Sequence, residues 1–241
     1  MNKIKKIAAS SLVIVLIIGS YVCNLIRHSD KYIRNRIVKI EGFKGGMCSG
    51  EQIHAPNGVD YVLTAAHCRE LGHDDIFTII RENGEKIERK LIAEDPNSDL
   101  LLIQGVPNLY GLDIADYSSP KQHVFTLTHG NNYPTYRTDG VIIGNDIIKV
   151  PLYPIEDKKQ ELLCGLMVKN HIENIDTFFG PITACVLDIE ETITTALIVP
   201  GSSGGAILDD SGKLVGVASA TSGAFGYFIG LPAIKLFLKS I

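Results

Sequence analysis

Residues 200–205 read Pro200-Gly201-Ser202-Ser203-Gly204-Gly205, a pair of serines with glycine on both sides. Glycine adopts backbone angles that other residues avoid, and its lack of a side chain lets a substrate backbone come close. The amides of Gly201 and Ser203 can then converge on one point, where they would stabilise a developing oxyanion. Alone, the stretch is also compatible with a flexible loop. The apolar runs at 194–199 and 206–208 predict a strand on each side instead.

Two earlier stretches contain side chains that could act with a serine. Residues 63–68 read Leu63-Thr64-Ala65-Ala66-His67-Cys68, a strand that ends in two small residues before a histidine. Residues 95–103 begin Asp95-Pro96-Asn97-Ser98-Asp99 and continue as an apolar strand. A partly buried carboxylate at that junction needs a partner, and an imidazole is a suitable one.

Each of these two side chains has a simpler interpretation on its own. His67 could be a packed histidine at a strand end, and Asp99 could cap a turn. Asp95 and Asp113 compete with Asp99 as candidate carboxylates, although both resemble turn residues.

The rest of the chain predicts an all-β fold from about residue 36 onward. Short apolar runs rich in Val, Ile and Thr alternate with turn signals, a spacing typical of a sandwich or barrel. These runs lie at 61–65, 76–80, 100–103, 124–128, 141–143 and 214–218. Residues 232–238 predict a short C-terminal helix, and residues 118–121 are the candidate boundary between two halves.

Taken together, in the order His, Asp, Ser, the three stretches resemble the motifs of chymotrypsin-like serine proteases. Residues 201–205 fit the Gly-x-Ser-Gly-Gly motif, which marks Ser203 and not Ser202 as the nucleophile. Residues 95–100, 194–205 and 226–232 are similar to the bacterial HtrA/Deg branch, although no PDZ domain is expected after them. The cysteine beside His67 is more typical of the trypsin branch. Residues 145–193 align with no known segment.

The resemblance implies two six-stranded antiparallel β-barrels, one at about residues 36–118 and the other at about 119–241. It implies a serine endopeptidase that acts on proteins or peptides through an acyl-enzyme, with no cofactor and no metal. The residues implied are the catalytic triad His67, Asp99 and Ser203, and an oxyanion hole made by the amides of Gly201 and Ser203. A catalytically silent binding protein on the same fold is the alternative.

By its spacing from the nucleophile, Leu197 is expected near the base of the primary specificity pocket. Ser219, Ala220 and Thr221 are expected in its wall, with Ser219 binding substrate backbone. An apolar base would leave a buried Arg or Lys unpaired, so small or medium apolar side chains are the expected preference.

Activation by zymogen cleavage is not expected. Trypsin-like zymogens mature when a new amino terminus pairs with an aspartate before the nucleophile, and that position here is Ser202. The sequence Arg36-Ile37-Val38 superficially resembles an activation site, but it lies too close to Cys48. Residues 36–40 are therefore predicted to form a barrel strand.

The cysteines indicate an oxidising compartment. Cys48-Ser49-Gly50 resembles the family segment that pairs with the cysteine beside the histidine, which implies a Cys48–Cys68 bridge; Cys164 and Cys185 could form a second bridge. Four unpaired thiols are the alternative. The group Cys48, His54, His67, Cys68 and His73 fits no standard zinc spacing. The remaining histidines, expected at the surface or in loops, are His28, His123, His129 and His171.

The N-terminus predicts a membrane anchor. Three lysines precede an uncharged apolar run at residues 7–26, long enough to cross a bilayer and longer than the apolar region of a signal peptide. Residues 1–30 are therefore expected to anchor the chain in the cell membrane by a single pass, with residues 31–241 outside the cytoplasm; secretion after signal cleavage is the alternative. The net charge of −4 and pI of about 6.0 argue against a nucleic-acid partner.

Overall fold

The computed structural model describes residues 30–42, 45–130, 135–155, 158, 160, 170–177 and 180–241. The predicted membrane span at residues 7–26 therefore lies outside the described residues, as do His28 and Cys164. Among the helices that the structure does describe, none combines the length and apolar character needed to cross a bilayer.

The first half of the chain forms a closed six-stranded antiparallel barrel, as the sequence predicted. The strands pair in the order β1-β2-β3-β6-β5-β4, so the barrel closes between β1 and β4. All of β6 except its last residue is buried. By contrast, β5 alternates between exposed and partly buried positions, as expected for a strand whose successive side chains point to opposite faces. The strands are β1 Ile37–Glu41, β2 Met47–His54, β3 Asp60–Ala65, β4 Ile76–Ile80, β5 Lys86–Asp95 and β6 Leu100–Gln104.

The second half forms a seven-stranded antiparallel sheet with the order β13-β12-β11-β7-β8-β10-β9. An additional pairing between β13 and β10 closes six of these strands into a ring. The strands are β7 His123–Thr128, β8 Tyr136–Pro154, β9 Asn170–Thr177, β10 Gly180–Thr194, β11 Ala206–Asp209, β12 Leu214–Thr221 and β13 Gly226–Gly230. The six strands expected for this half form the ring, and β9 is one additional strand, which pairs with residues 180–187 of the long strand β10.

Residues 145–193, which align with no known segment, account for that extra strand. They contain most of β8, all of β9 and nearly all of β10. The apolar run at 141–143 is only the early part of β8, which continues to Pro154 through polar and apolar residues alike. β8 is paired with β10 over most of its length, so this pairing, rather than local sequence preference, determines how long the strand is.

The two β units pack on one shared apolar core. Leu63, Leu100 and Leu102 from the first barrel meet Leu127, Leu208 and Ile229 from the second sheet, and all six are buried. This seam lies where β3, which pairs with β6 in the first barrel, approaches β12 of the second sheet. His67 follows the end of β3, Asp99 precedes β6, and Ser203 precedes β11.

An α-helix lies at each end of the described chain. Helix α1, Asp30–Arg34, precedes β1, and helix α2, Leu231–Leu238, follows β13 and buries Ile234 and Phe237 in the shared core. Helix α2 confirms the predicted C-terminal helix with one additional residue at its start. The strand predicted at 194–199 is wrong: β10 ends at Thr194, and residues 195–199 run as an irregular segment toward the nucleophile loop.

Candidate active site

His67 and Asp99 are joined at two points. His67 Nδ1 lies 2.8 Å from Asp99 Oδ2, and the backbone amide of His67 donates to Asp99 Oδ1, also at 2.8 Å. His67 lies in the short 3₁₀ helix Ala66–Leu71 that follows β3. The two residues before it, Ala65 and Ala66, are small and buried. The paired bonds fix both the position and the tautomer of the imidazole.

Asp99 lies in a strained backbone conformation at the start of β6. It has φ 51° and ψ 41°, in the left-handed region that residues other than glycine seldom adopt, and it ends the 3₁₀ helix Pro96–Ser98. Its side chain is buried, and a third bond reaches Oδ2 from the Ser219 hydroxyl at 3.2 Å. The competing Asp95 caps the same turn by accepting from the Asn97 amide, so its role is local.

Ser203 lies on the loop between the irregular segment 195–199 and β11. Its hydroxyl donates to the Ser219 carbonyl at 3.2 Å. Both residues belong to the described part of the chain, and no hydrogen bond joins Ser203 Oγ to His67 there. Ser203 is anchored through its own carbonyl, which accepts from the Ser49 amide at 2.8 Å and so connects the loop to the first barrel.

The glycines of this loop are needed for its path. Gly201 and Gly204 have φ of +86° and +78°. A Cβ on Gly204 would lie only 1.9 Å from Thr64 Oγ1, so the loop can approach β3 only without a side chain. Within the described residues, the amides of Gly201 and Ser203 donate to no protein acceptor, whereas the amides of Ser202 and Gly204 donate to Val199 and Ala218. Both expected oxyanion-hole donors are therefore available.

A buried cluster of hydroxyl groups holds the loop from below. Ser202 Oγ is fully buried and lies 3.0 Å from Thr128 Oγ1 and 2.9 Å from Tyr136 OH. The Val199 amide donates to the same oxygen at 3.3 Å. We call Ser202, Thr128 and Tyr136 the hydroxyl cluster. Ser202, where the sequence has no aspartate for a zymogen-type ion pair, is thus held by neutral hydroxyl groups.

The start of β1 is buried. Arg36 is buried, and its guanidinium donates to the carbonyls of Tyr32 at 2.7 Å and Tyr110 at 2.9 Å. Ile37, the next residue, is fully buried as the first residue of β1, so the strand predicted at 36–40 begins one residue later.

The electrostatics of the site raise the pKa of the His67 imidazole. Partial burial lowers the pKa of His67, but the hydrogen bond that its ring donates to Asp99, the charge of Asp99 and the charge of Glu191 raise it by more, so that the net pKa lies above its ordinary value. The ring still exposes 43% of its side-chain surface, which leaves one edge open toward a substrate.

Glu191 is a neighbour of the site that sequence reasoning missed. It lies on β10, is buried, and has its pKa raised to about 7 by burial, with the charge of Asp99 as a further cause. It belongs to the segment that aligned with no known motif, so nothing in the sequence pointed to it. The same applies to the partners of Ser202, namely Thr128 and Tyr136.

The residues expected to determine specificity differ in how exposed they are. Leu197 is half exposed in the segment that precedes the nucleophile loop, and its carbonyl accepts from Thr138 Oγ1 at 2.9 Å. Ser219 is buried beside Asp99, Ala220 is half-buried, and Thr221 is exposed at the end of β12. Substrate contacts of these four residues stay a prediction.

The disulfide implied between Cys48 and Cys68 is confirmed, and it ties β2 to the helix that carries His67. The two sulfur atoms lie near His67 in a group that could in principle hold a metal, but the bond between them occupies both thiols. Cys185 is buried and disulfide-bonded. Because Cys164 lies outside the described residues, its pairing with Cys185 stays a prediction.

Among the other histidines, His129 lies in the loop after β7, as expected, although its side chain is buried. Its Nε2 lies 3.3 Å from Thr135 Oγ1. His123 is exposed beside Asp210, as expected, while His171 lies within β9. His54 packs against Tyr110 and pairs with Asp60, away from His67.

Comparison with known proteins places this arrangement among proteases. The family model described as a trypsin-like peptidase domain matches residues 48–217. The periplasmic serine endoproteases DegP of Salmonella typhimurium and of Escherichia coli K12 are each 26% identical over 185 residues, which is 76% of this chain and 32% of the relative. The chain thus spans about one third of the length of these curated relatives.

Solved structures share the fold. The active form of the Rv3671c protease from M. tuberculosis has a TM-score of 0.63 at 17% identity, covering 87% of this chain and 82% of that one. A serine endoprotease from Yersinia pestis has a TM-score of 0.58 at 16% identity, covering 90% and 65%. At these identities, the likeness establishes the all-β protease fold.

Proposed function

Because the chain belongs to the trypsin-like peptidase domain family, we propose that it is a serine endopeptidase that uses Ser203, His67 and Asp99. The observation that carries the proposal is the 2.8 Å bond between His67 Nδ1 and Asp99 Oδ2, next to a glycine-flanked serine whose oxyanion donors are free. Protein or peptide substrates follow from this chemistry, and no cofactor is required.

In the proposed reaction, the Ser203 hydroxyl turns from the Ser219 carbonyl to His67 Nε2. His67 takes the proton while Ser203 Oγ attacks the scissile carbonyl, and it later gives that proton to the leaving amine. Asp99 accepts from Nδ1 throughout and stabilises the imidazolium. Water then repeats the sequence on the acyl-enzyme and releases the second product.

The oxyanion of each tetrahedral intermediate would lie between the amides of Gly201 and Ser203. These donors are preorganised, since Gly201 holds φ +86° and the Ser203 carbonyl is fixed by the Ser49 amide. Removal of one oxyanion donor typically costs about 3–4 kcal/mol of activation free energy.

The mature loop would form without proteolytic activation. The hydroxyl cluster supplies the support beneath the nucleophile, and the buried Arg36 contributes hydrogen bonds to the fold rather than a cleavage site. An inactive full-length protein that gains activity when cut after Arg36 would contradict this.

The proposed preference is for small or medium apolar side chains. Leu197 and Phe225 are both apolar and roughly half exposed on the segments that flank the nucleophile loop and β13. Neither Leu197 nor the stretch 219–221 offers a carboxylate that would pair with a buried Arg or Lys. Cleavage of a peptide library by the wild-type protein, read by mass spectrometry, tests this; preferred cleavage after Arg or Lys would contradict it.

We also propose that residues 7–26 anchor the chain in the cell membrane, with the protease domain outside the cytoplasm. The long apolar run and the Cys48–Cys68 bridge support this location, because disulfides persist in oxidising compartments. Retention in carbonate-washed membranes, together with digestion of the domain by an external protease, is expected. Release as a soluble, shortened protein would support a cleaved signal instead.

A fluorophosphonate probe tests the central proposal. Wild-type protein should be labelled, Ser203→Ala should not, and Ser211→Ala, which alters an exposed serine, should be labelled normally. If a folded, disulfide-intact wild type is not labelled, the chain is a binding protein on a protease fold and the proposal fails.

A further inference from the structure

A second buried carboxyl, that of Glu191, lies close enough to the His67–Asp99 pair for their charges to interact. Glu191 is 1% exposed on β10, the strand that packs against the 3₁₀ helix leading to Asp99. Neither of its carboxyl oxygens accepts a hydrogen bond of normal geometry within the described residues. Burying an ionised carboxylate without a partner costs free energy, so we expect Glu191 either to be protonated or to have a partner.

Ser219 connects the two carboxyl groups. Its hydroxyl lies near Glu191 and interacts with that group, but its single proton is directed to Asp99 Oδ2, at 3.2 Å. One hydroxyl cannot donate to two carboxylates at once. A proton on Glu191 resolves this, because Glu191 would then donate to Ser219 Oγ while Ser219 donates to Asp99 and His67 donates from Nδ1.

We propose that Glu191 is a positioning residue for the His67–Asp99 pair, acting on the imidazole through Ser219 and Asp99. This inference rests on the proposed function and adds a fourth group to the machinery. When protonated, Glu191 completes a chain of hydrogen bonds that orients Asp99. When ionised, it adds negative charge behind the ring and favours the imidazolium that forms during acylation.

The surrounding charges agree with this role. Burial and the charge of Asp99 raise the pKa of Glu191, while Ser219 and His67 lower it, with a net rise to about 7. In return, the charge of Glu191 raises the pKa of His67. The cross-strand neighbour Asp146 and the preceding Glu190 are exposed. Two groups that interact in this way titrate as a coupled pair.

Glu51 supplies a matched control. It is also fully buried without a hydrogen-bonding partner in the described residues, but burial alone raises its pKa, and no charge of the site contributes. It lies on β2 in the first barrel. Glu51→Gln therefore removes the same kind of group without touching the proposed chain.

The test is the titration of His67 followed by NMR of ¹⁵N-histidine-labelled protein in a Ser203→Ala background, so it needs no activity. Glu191→Gln, whose amide can still donate to Ser219, should move the His67 midpoint to lower pH, and Glu51→Gln should leave it in place. An unmoved midpoint in a folded Glu191→Gln protein, or equal shifts in both variants, would overturn the proposal.

Glu191→Met provides a second variant should the glutamine not fold, and its expected shift has the same sign. A second measurement is kcat/KM against pH in proteins that retain Ser203. For Glu191→Gln, the acid limb of this profile should also move to lower pH. If the wild type is not labelled by the probe but Glu191→Gln still shifts the His67 titration, the proposed protease activity is refuted. The inference that Glu191 acts on His67 would then stand.

Discussion

Asp99 accepts from His67 twice, at the backbone amide through Oδ1 and at ring Nδ1 through Oδ2, both at 2.8 Å. The first bond fixes where the helix carrying His67 lies, and the second fixes how its ring is turned. The Asp99 side chain thus controls both the orientation and the tautomer of the His67 ring. The backbone of Asp99 itself has a left-handed conformation.

Asp99→Asn should therefore remove activity while keeping the fold. The amide can place its oxygen on the His67 backbone only by directing NH₂ at Nδ1, which selects the tautomer whose Nε2 carries the proton and cannot act as base. We expect a loss of about 10⁴-fold in kcat, measured on a peptide substrate. Asp95→Asn is the control, since it alters a capping residue of the same turn and should keep near-normal activity.

The acid limb of the pH profile should lie above pH 6.5. His67 must be neutral to act as a base, so kcat/KM rises as the ring loses its proton. Burial lowers its pKa but Asp99 and Glu191 raise it by more, to a net value above the ordinary 6.5. A midpoint at or below 6.5, measured with an uncharged substrate, would show that burial outweighs the two carboxyl groups.

Gly201→Ala should misplace an oxyanion donor. The residue has φ +86°, which costs an alanine roughly 1–2 kcal/mol, so the peptide is expected to rotate away from the hole. We expect a loss of about 10²–10³-fold in kcat, with little change in KM. Gly58→Ala provides the comparison, because Gly58 has φ +80° with open space around it in the first barrel. Equal losses in both variants would indicate general destabilisation.

The general architecture could be predicted because it depends on patterns that are local in the sequence. The short apolar runs in β3, β4, β6, β7 and β12 indicated the fold class, and the glycine-flanked Ser203 and the Thr-Ala-Ala-His stretch identified the two ends of the site. Asp99 was identified because it opens a fully apolar strand.

What could not be predicted depends on contacts between distant residues. β8, β9 and β10 lack a strong alternating pattern, since their length comes from pairing with one another. Tyr136 reaches Ser202 across 66 positions, and Ser219 reaches Asp99 across 120. No spacing rule connects such residues. For the same reason, the irregular path of residues 195–199 was mistaken for a strand.

Tyr136→Phe should weaken the support of the nucleophile loop. It removes one hydrogen bond to the buried Ser202 hydroxyl, worth about 1 kcal/mol. We expect probe labelling of Ser203 to slow several-fold, with only a small loss of stability. Tyr117→Phe, at an exposed tyrosine, should label at the wild-type rate. Unchanged labelling in Tyr136→Phe would mean that Thr128 alone holds the loop.

The two unpartnered carboxyl groups should make the protein less stable as the pH rises. Burial raises the pKa of Glu51 well above 4.5, and that of Glu191 lies at about 7. Above pH 4.5, the unfolded chain has released protons that the folded chain still holds. Stability follows the difference in bound protons, so these groups contribute stability below pH 4.5 and lose that contribution as the pH rises.

Glu51→Gln should flatten this dependence, because a glutamine binds no proton in either state. Between pH 5 and pH 8, the free energy of unfolding, measured by urea denaturation, should fall less for this variant than for the wild type. The exposed Glu88→Gln should follow the wild-type curve. Glu51→Leu should also be more stable than the wild type at pH 8, by about 1–3 kcal/mol, since it replaces a buried unsatisfied group with an apolar one. Should Glu51→Gln lose stability with pH as steeply as the wild type, Glu51 would have to be ionised in the folded protein, with a partner that balances its charge.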